Sequence, residues 1–249
     1  MLPIRDHNPS ERTPGITYSL IGLNVLVFLA YLSLFNDERA LGQFFAEWAM
    51  IPAAITQGDQ PHTIFTSMFL HGGLMHIAGN MLFLWIFGDN LEDALGHVGF
   101  LLFYLATGAA AAVAHVIADP GSIIPTVGAS GAISGVMGGY LLLYPKARVD
   151  VLVMFFYYVR IIALPAWTVL LLWLALQIFG GFAMSSGQGG VAYWAHAGGF
   201  VAGLAMILPV WVARGGTRLW RSTEGHPPWP PTSAPERGVL RPPVVRRKR

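Results

Sequence analysis

Long runs of apolar residues with almost no charge constrain this chain more than any other feature. A membrane-spanning helix needs roughly 20 apolar residues. Five runs reach or approach that length, and a sixth is shorter but carries no formal charge. In chain order the six runs are Ile16–Phe35, His71–Phe87, Val98–Ile117, Val127–Tyr144, Ile161–Phe179 and Tyr193–Val212. Only 11% of the 249 residues are charged, against about 25% in a soluble domain, so lipid is the expected solvent.

The distribution of basic residues predicts how the six spans are oriented. Six spans place both termini on the same side of the membrane. With the N-terminus inside, fourteen of the fifteen Lys and Arg residues fall in inner segments, and only Arg39 falls outside. Such a bias marks the cytoplasmic side. We therefore expect an all-α polytopic membrane protein, a bundle of six transmembrane helices with both termini in the cytoplasm.

Three regions are expected along the chain. Residues 1–15 form a cytoplasmic N-terminal segment, and residues 16–213 form the membrane domain. Residues 214–249 form a disordered, basic tail rich in Pro and Arg. Its basic end either lies against anionic lipid or is solvated with no specific partner, and the sequence leaves both open. Val151–Tyr158 is predicted as an interfacial lead-in to the fifth span, and residues 181–192 as a mobile, Gly-rich outer lid.

Four polar residues lie within the predicted spans at a similar depth. They are His76, Asn80, Ser130 and His196. Spans two, four and six all begin on the outer side, and each of the four residues lies in the first half of its span. Because polar groups inside a membrane are costly, this coincidence indicates one functional site in the outer leaflet.

Small residues offer a way to bring two of these spans together. Ridges of small residues at four-residue spacing let helices approach closely in lipid. Docking such ridges on spans four and six places Ser130 beside His196, although ridges of this kind are common in helical membrane proteins and leave the contact open. The ridges are Gly131, Gly135 and Gly139 on span four, and Ala195, Gly199 and Gly203 on span six.

The residue types indicate acyl-transfer chemistry. A serine hydroxyl becomes a good nucleophile when a base removes its proton, and an imidazole titrates in the right range. The resulting oxyanion needs fixed donors, which His76, Asn80 and the backbone N–H of Ser130 can supply. The nearest outer acid, Asp119, lies in a loop, so we expect a dyad and not a triad.

Other interpretations of these residues remain open from the sequence alone. Ser130 can simply satisfy a helix N-terminus, and His196 can be a hydrogen-bonded core residue. His62, His71 and His76 suggest a metal, but His71 and His76 are five apart on different helix faces and no HExxH is present. We therefore expect no metal and no cofactor. Three further histidines, His97, His115 and His226, are interpreted as structural or solvent-facing.

At these residues the chain resembles the rhomboid family of intramembrane serine proteases, over roughly residues 16–213. Three segments carry the resemblance in the family's order: HGGLMHIAGN (His71–Asn80), GASGAISGVMGG (Gly128–Gly139) and AHAGGFVAG (Ala195–Gly203). The resemblance implies that Ser130 is the nucleophile, His196 the base, and His76 with Asn80 the oxyanion-stabilising pair. Gly128 lies in the nucleophile motif, and Gly199 and Gly203 match small packing positions after the base.

The resemblance also implies what the protein acts on and where. The implied partners are transmembrane protein substrates and the lipid bilayer, with no nucleic acid. Cleavage of single-span proteins is expected near the outer end of their helix, with the site open to the outer side. The excess of Arg over Lys, 13 to 2, indicates a bacterial source and hence a bacterial cytoplasmic membrane. Movement of span five and of the Gly-rich outer loop would admit the substrate.

Two positions depart from the family pattern. A Trp-Arg pair in the first outer loop is replaced by His62 and Thr63, and a tyrosine that stacks on the base is replaced by Ser134. Orientation of His196 must then come from another group, for which Tyr193, Trp194 or an aromatic residue of span two are candidates.

Two other classes of function stay open. A catalytically inactive scaffold that binds transmembrane clients would use the same fold. A transporter or channel lined by the histidines would show charged or inverted-repeat features near the midplane, which the sequence does not display.

Overall fold

A computed structural model describes residues 2–155, 157–183 and 191–222 of the chain. Within these residues the fold is mainly helical, with one small sheet. The helices are α1 (Gly15–Tyr31), α2 (Glu38–Trp48), α3 (Pro52–Thr56), α4 (Thr63–Thr66), α5 (Leu74–Ala118), α6 (Ser130–Leu143), α7 (Ala166–Ala183), α8 (Tyr193–Ala213) and α9 (Thr217–Ser222). The strands are β1 (Leu2–Asp6), β2 (Arg148–Phe155) and β3 (Tyr158–Pro165), and short 3₁₀ helices cover Leu32–Asn36 and Ser67–Phe69.

Four helical segments are long and apolar enough to cross a membrane, which confirms the prediction of a multi-pass membrane protein. They are Gly15–Asn36, α5, α7 and α8, and α6 is a shorter apolar helix. Their outward faces are exposed and apolar, with Leu26, Leu176 and Phe179 each more than half exposed. Such faces suit a lipid environment and would be unfavourable in water.

Helix α5 corresponds to two of the predicted spans. Its 45 residues would extend about 68 Å if straight, more than twice the ~30 Å hydrocarbon core of a bilayer. The helix is interrupted at Gly96, whose φ of 71° and ψ of 166° are not helical and favour glycine. We call residues 74–95 the first arm and residues 97–118 the second arm. His76 and His115, near opposite ends of α5, line one cavity, so the arms fold back on each other.

Helices α6 and α8 are in backbone contact along their glycine ridges. A Cβ atom added to Gly199 would lie 2.1 Å from the carbonyl oxygen of Gly131. A Cβ atom on Gly203 would lie 2.0 Å from the carbonyl oxygen of Gly135. No side chain fits at those distances, so glycine is what permits the approach. The two glycine ridges that the sequence offered for docking are in contact in this structure.

The other face of α6 packs against the second arm of α5. A Cβ atom on Gly135 would lie 2.3 Å from the Cβ of Thr107, and one on Gly131 would lie 2.7 Å from the Cβ of Ala111. Helix α6 is therefore enclosed between α5 and α8, and residues 132–140 are all buried. The nucleophile candidate thus begins the most enclosed helix of the described structure.

A three-stranded antiparallel sheet corrects the all-α prediction. Its order is β1-β2-β3, so the N-terminal strand adds to the edge of a hairpin between α6 and α7. The predicted lead-in Val151–Tyr158 lies in this hairpin, and residues 161–165, predicted as the first turn of span five, belong to β3. Short apolar runs rich in Val and Ile do not distinguish strand from helix by hydropathy. Helix α7 therefore begins at Ala166, later than predicted.

Two carboxylates beside Gly96 tether the N-terminal segment. Glu92 is 2% exposed, and its oxygens accept the backbone N–H groups of Ile16 and Thr17, both at 2.8 Å. Asp93 accepts the backbone N–H of Arg12 at 3.0 Å. Glu92 satisfies the free N–H groups of the first turn of α1, where negative charge is also favoured by the helix dipole. These acids have a structural role that the sequence analysis did not predict.

The chain remains helical beyond the predicted end of the membrane domain. Helix α9 lies within the tail predicted to be disordered, and Trp220 Nε1 donates a hydrogen bond to the carbonyl oxygen of Leu142 at 3.0 Å. Its indole also contacts that of Trp211, with ring centroids 5.0 Å apart. The rest of the predicted tail (residues 223–249) and most of the predicted lid (residues 184–190) lie outside the described residues.

Candidate active site

Ser130 is the first residue of α6, and the segment that precedes it is held on both sides. Met50 and Thr126 exchange two backbone hydrogen bonds, at 3.1 and 2.8 Å, and the N–H of Gly128 donates to the carbonyl oxygen of Ser67 at 2.9 Å. Gly128 has a φ of 131°, and a Cβ there would lie 2.8 Å from Nε2 of His76. Both its backbone conformation and its surroundings therefore require glycine.

The structure brings Ser130 and His196 into direct contact. Ser130 Oγ lies 2.7 Å from Nε2 of His196, a typical hydrogen-bond distance. The contact joins the first turn of α6 to the first turn of α8, at the N-terminal end of both glycine ridges. The pairing that the sequence left open is thus present in this structure.

The other nitrogen of His196 faces Gln177. Nδ1 of His196 lies 2.8 Å from Oε1 of Gln177. With the amide oxygen facing the ring, Nδ1 carries the proton and donates it, which leaves the Nε2 lone pair free to accept the hydroxyl of Ser130. The third group of the site is therefore a neutral amide, and no carboxylate contacts His196 among the described residues.

An aromatic ring of α7 covers the same histidine. The ring of Trp173 lies 5.7 Å from that of His196 at an interplanar angle of 34°. Trp173 and Gln177 are four residues apart, so they share one face of α7. The prediction that Tyr193, Trp194 or an aromatic of span two orients His196 is wrong, because the base is reached from span five instead.

Tyr193 and Trp194 pack against the C-terminal end of α7. A Cβ on Gly180 would lie 2.4 Å from the ring of Tyr193. The ring of Trp194 meets that of Phe182 edge-on, with centroids 5.1 Å apart. These two aromatic residues therefore hold α7 against the start of α8 and do not stack on His196.

His76 and Asn80 offer two free donors on the first arm of α5. The N–H of Gly72 donates to Nδ1 of His76 at 3.3 Å, so the neutral ring carries its proton on Nε2. Asn80 is 7% exposed, and its Nδ2 has no hydrogen-bond partner among the described residues. The two side chains lie one turn apart. Both can therefore donate to an anion without breaking an existing bond.

A single cavity joins these groups. Its volume is about 820 Å³, and its lining includes His76, Asn80, Ser130 and His196. Met75, Gly79 and Phe83 of the first arm form one wall, and Trp173 and Gly181 of α7 form the opposite one. A peptide segment that enters between the first arm and α7 would therefore meet all four candidate residues.

The remaining histidines and Ser134 have distinct surroundings. The His71 ring is fully buried and lies edge-on to His76, with centroids 5.2 Å apart. His62 contacts the ring of Trp48 at 5.9 Å, away from the cavity lining. Ser134 Oγ donates to the carbonyl oxygen of Ser130 at 2.6 Å. His226 lies outside the described residues.

His97 and His115 also have clear positions. His97 pairs with Glu92 beside the break in α5, as a structural interpretation predicts. His115 lines the cavity, so the prediction that it is merely structural or solvent-facing is incomplete. Gln177 could have been found in the sequence, because it is a polar side chain within an apolar span and at the same outer depth as the four chosen residues.

A family model described as the Rhomboid domain matches residues 58–213. This range is well over half of the chain. It contains the four candidate residues, Gln177 and the glycine ridges, and it excludes α1 and the N-terminal strand.

Several curated proteins are similar to this chain over parts of their length. "Rhomboid protease GluP" of Bacillus subtilis is 35% identical over 128 residues, which cover 51% of this chain and 24% of that protein. "RHOMBOID-like protein 6, mitochondrial" of Arabidopsis thaliana is 37% identical over 87 residues, which cover 35% of this chain and 28% of that protein. "Rhomboid protein 1, mitochondrial" of Saccharomyces cerevisiae is 29% identical over 139 residues, which cover 54% of this chain and 38% of that protein. The matched region is thus less than half of each relative.

Proposed function

The chain belongs to the rhomboid family, and we propose that it is a serine endopeptidase that cleaves single-span membrane proteins within the bilayer. The observation that carries this proposal is the 2.7 Å contact between Ser130 Oγ and His196 Nε2 at the wall of the cavity. Two relatives with protease in their names, one of them GluP of B. subtilis, add support.

The residues suggest a two-step reaction. His196 Nε2 takes the proton of Ser130 as Oγ bonds to the carbonyl carbon of the substrate peptide. The tetrahedral oxyanion accepts hydrogen bonds from His76 Nε2, Asn80 Nδ2 and the backbone N–H of Ser130. The imidazolium then protonates the leaving amine as the C–N bond breaks. Water hydrolyses the acyl-enzyme by the same route, with His196 again as base, and the serine is restored.

We propose that six helices cross the membrane with both termini on the cytoplasmic side. The six are α1, the two arms of α5, α6, α7 and α8. The bias of Lys and Arg toward the inner segments supports this orientation. It places the start of α6 and α8, and hence the cavity, in the outer leaflet, where the site can receive water from outside.

Entry of the substrate between α7 and the first arm of α5 fits the packing of α7. Its inner end is fixed by Ala166 and Leu170, which are 0% and 1% exposed. Toward the outer end Leu176 and Phe179 are 57% and 72% exposed. Its outer end must separate from Tyr193 and Trp194, which pack against it, and that separation would open the cavity to a helix in the bilayer.

Reconstituted protein and a fluorescent single-span substrate test the proposal. We expect cleavage near the outer end of the substrate helix by the wild type and none above background by Ser130→Ala. Ser19→Ala, which changes an exposed serine of α1 that bonds to its own helix, is the matched control and should cleave normally. Equal cleavage by wild type and Ser130→Ala would refute the assignment of Ser130.

A further inference from the structure

The walls of the cavity carry a single formal charge among the described residues. Among the described residues that line the cavity, Asp119 is the only Asp, Glu, Lys or Arg. Residues 181–192 contain none of these residue types in their sequence. Among the described wall residues Asp119 interacts electrostatically with His115, and no lysine or arginine is present there to pair with it.

Apart from its electrostatic interaction with His115, the carboxylate of Asp119 has no partner among the described residues. It makes no hydrogen bond or ion pair with any residue that the structure describes. The turn that follows α5 uses only the Asp119 backbone, whose N–H donates to the oxygen of His115 and whose oxygen accepts from Ser122. Asp119 also stands at the C-terminus of α5, where the helix dipole is negative and disfavours an acid. Its charge and the helix terminus together attract a cation.

The distance from Asp119 to Ser130 follows from the position of Asp119 along α5. Ala111 packs against Gly131, the residue after Ser130. Asp119 lies eight residues further along the same helix, a rise of about 12 Å toward the outer end. An extended peptide covers about 3.3 Å per residue. A peptide bound across Ser130 would therefore bring a side chain three or four residues from the cut bond to Asp119.

Between these two points the described wall of the cavity mixes polar and apolar residues and carries no lysine, arginine, aspartate or glutamate. His115 lies one turn below Asp119, and its buried Nδ1 has no hydrogen-bond partner among the described residues. Thr126 and Ser122 also line this outer end. A long side chain with a terminal cation suits such a path, because its stem packs against the walls and its head reaches the carboxylate.

We infer that Asp119 determines specificity by binding a Lys or Arg side chain three or four residues from the cleaved bond. The inference rests on the proposed protease function. Asp119 contacts the substrate away from the reacting atoms, so it affects which sequence is cut and leaves the chemical step unchanged.

A panel of substrates that differ only in one charge tests this inference. Starting from an uncharged parent sequence, Lys or Glu is placed at each position up to four residues on either side of the bond, and kcat/KM is measured in proteoliposomes. For the wild type we expect Lys to exceed Glu by up to about fivefold at a position three or four residues away, the range of a partly exposed ion pair. In Asp119→Asn that ratio should fall to about one at the same position.

Controls separate this inference from the proposed function. Asp59→Asn removes an exposed acid of the first outer loop that is not in the cavity lining, and it should keep the wild-type ratio. High salt should reduce the ratio by screening. A ratio that is the same in wild type and Asp119→Asn at every position would overturn the role of Asp119 while cleavage of the parent still supports a protease. Failure of the wild type to cleave the parent would overturn the proposed function and this inference with it.

Discussion

Nδ1 of His196 lies 2.8 Å from Oε1 of Gln177. This bond directs the protonated nitrogen of the ring toward α7 and the free lone pair toward Ser130. The helix proposed to move for substrate entry therefore also carries the group that orients the base. A family member without a carboxylate beside its histidine can in this way still fix the tautomer that catalysis needs.

Loss of the Gln177 side chain should slow the chemical step. We expect Gln177→Ala to lower kcat by about fivefold with KM nearly unchanged, since one orienting hydrogen bond is worth about 1 kcal/mol. Gln177→Glu keeps an acceptor at the same place and should retain most of the activity. A Gln177→Ala protein with normal kcat and an altered KM would contradict a positioning role.

Loss of one oxyanion donor should reduce turnover more strongly. Asn80→Leu removes a donor but preserves bulk, and we expect kcat to fall by about 100-fold or more with little change in KM. Thr107→Val is the control, because the hydroxyl of Thr107 bonds backbone carbonyls away from the cavity. Activity of Asn80→Leu within a fewfold of the wild type would remove Asn80 from the oxyanion pocket.

A methyl group in the ridge between α6 and α8 should separate the two helices. Gly203→Ala places a Cβ 2.0 Å from the oxygen of Gly135, and overpacking of this kind costs about 1–3 kcal/mol of unfolding free energy. We expect a lower thermal midpoint in detergent and weaker cleavage, because the separation also affects the contact between Ser130 and His196. Gly22→Ala in α1 meets nothing within 4 Å and should be neutral. Equal midpoints for the two variants would contradict the close approach.

Asp6 should make stability depend on pH. Burial raises the pKa of Asp6 from 3.8 to about 7, and the hydroxyl of Tyr140 donates to its carboxyl at 2.7 Å. The folded protein then binds a proton that the unfolded chain has lost, so stability should fall as the pH rises from about 4 to about 7.

The variant Asp6→Asn isolates this effect. The amide resembles the protonated acid, so the drop in thermal midpoint between pH 5 and pH 8 should be smaller than in the wild type. Asp59→Asn should keep the wild-type drop. Identical pH profiles for wild type and Asp6→Asn would show that the pKa of this carboxyl is not raised.

The sequence predicts the apolar helices and the residues of the cavity because both obey strong local rules. A run of about 20 apolar residues favours a membrane-spanning helix. A polar side chain within such a run costs free energy unless it has a structural or functional role. The glycine spacing on α6 and α8 offered one way to pair Ser130 with His196, but such ridges are common in membrane helices and left the contact open. This part of the architecture follows from periodicity and composition.

Two features escaped prediction for physical reasons. The apolar runs of β2 and β3 resemble helix segments in hydropathy, and what distinguishes them is the pairing of β2 with β3 and with Leu2–Asp6, far away in the sequence. Gln177 approaches His196 through the packing of α7 on α8. That contact depends on the rotation of α7, which an apolar sequence does not specify. The rule used for the other polar residues would have selected Gln177 as a candidate for the site, although it would not have predicted the contact with His196.

Labelling with a fluorophosphonate probe tests the central claim most directly, because the probe reacts only with an activated serine. The wild-type protein in detergent should form a covalent adduct that mass spectrometry assigns to Ser130. His196→Ala should abolish the adduct, and Ser19→Ala should leave it unchanged. Failure to label folded wild-type protein, or equal labelling of wild type and His196→Ala, would contradict the Ser130–His196 dyad and favour an inactive scaffold on this fold.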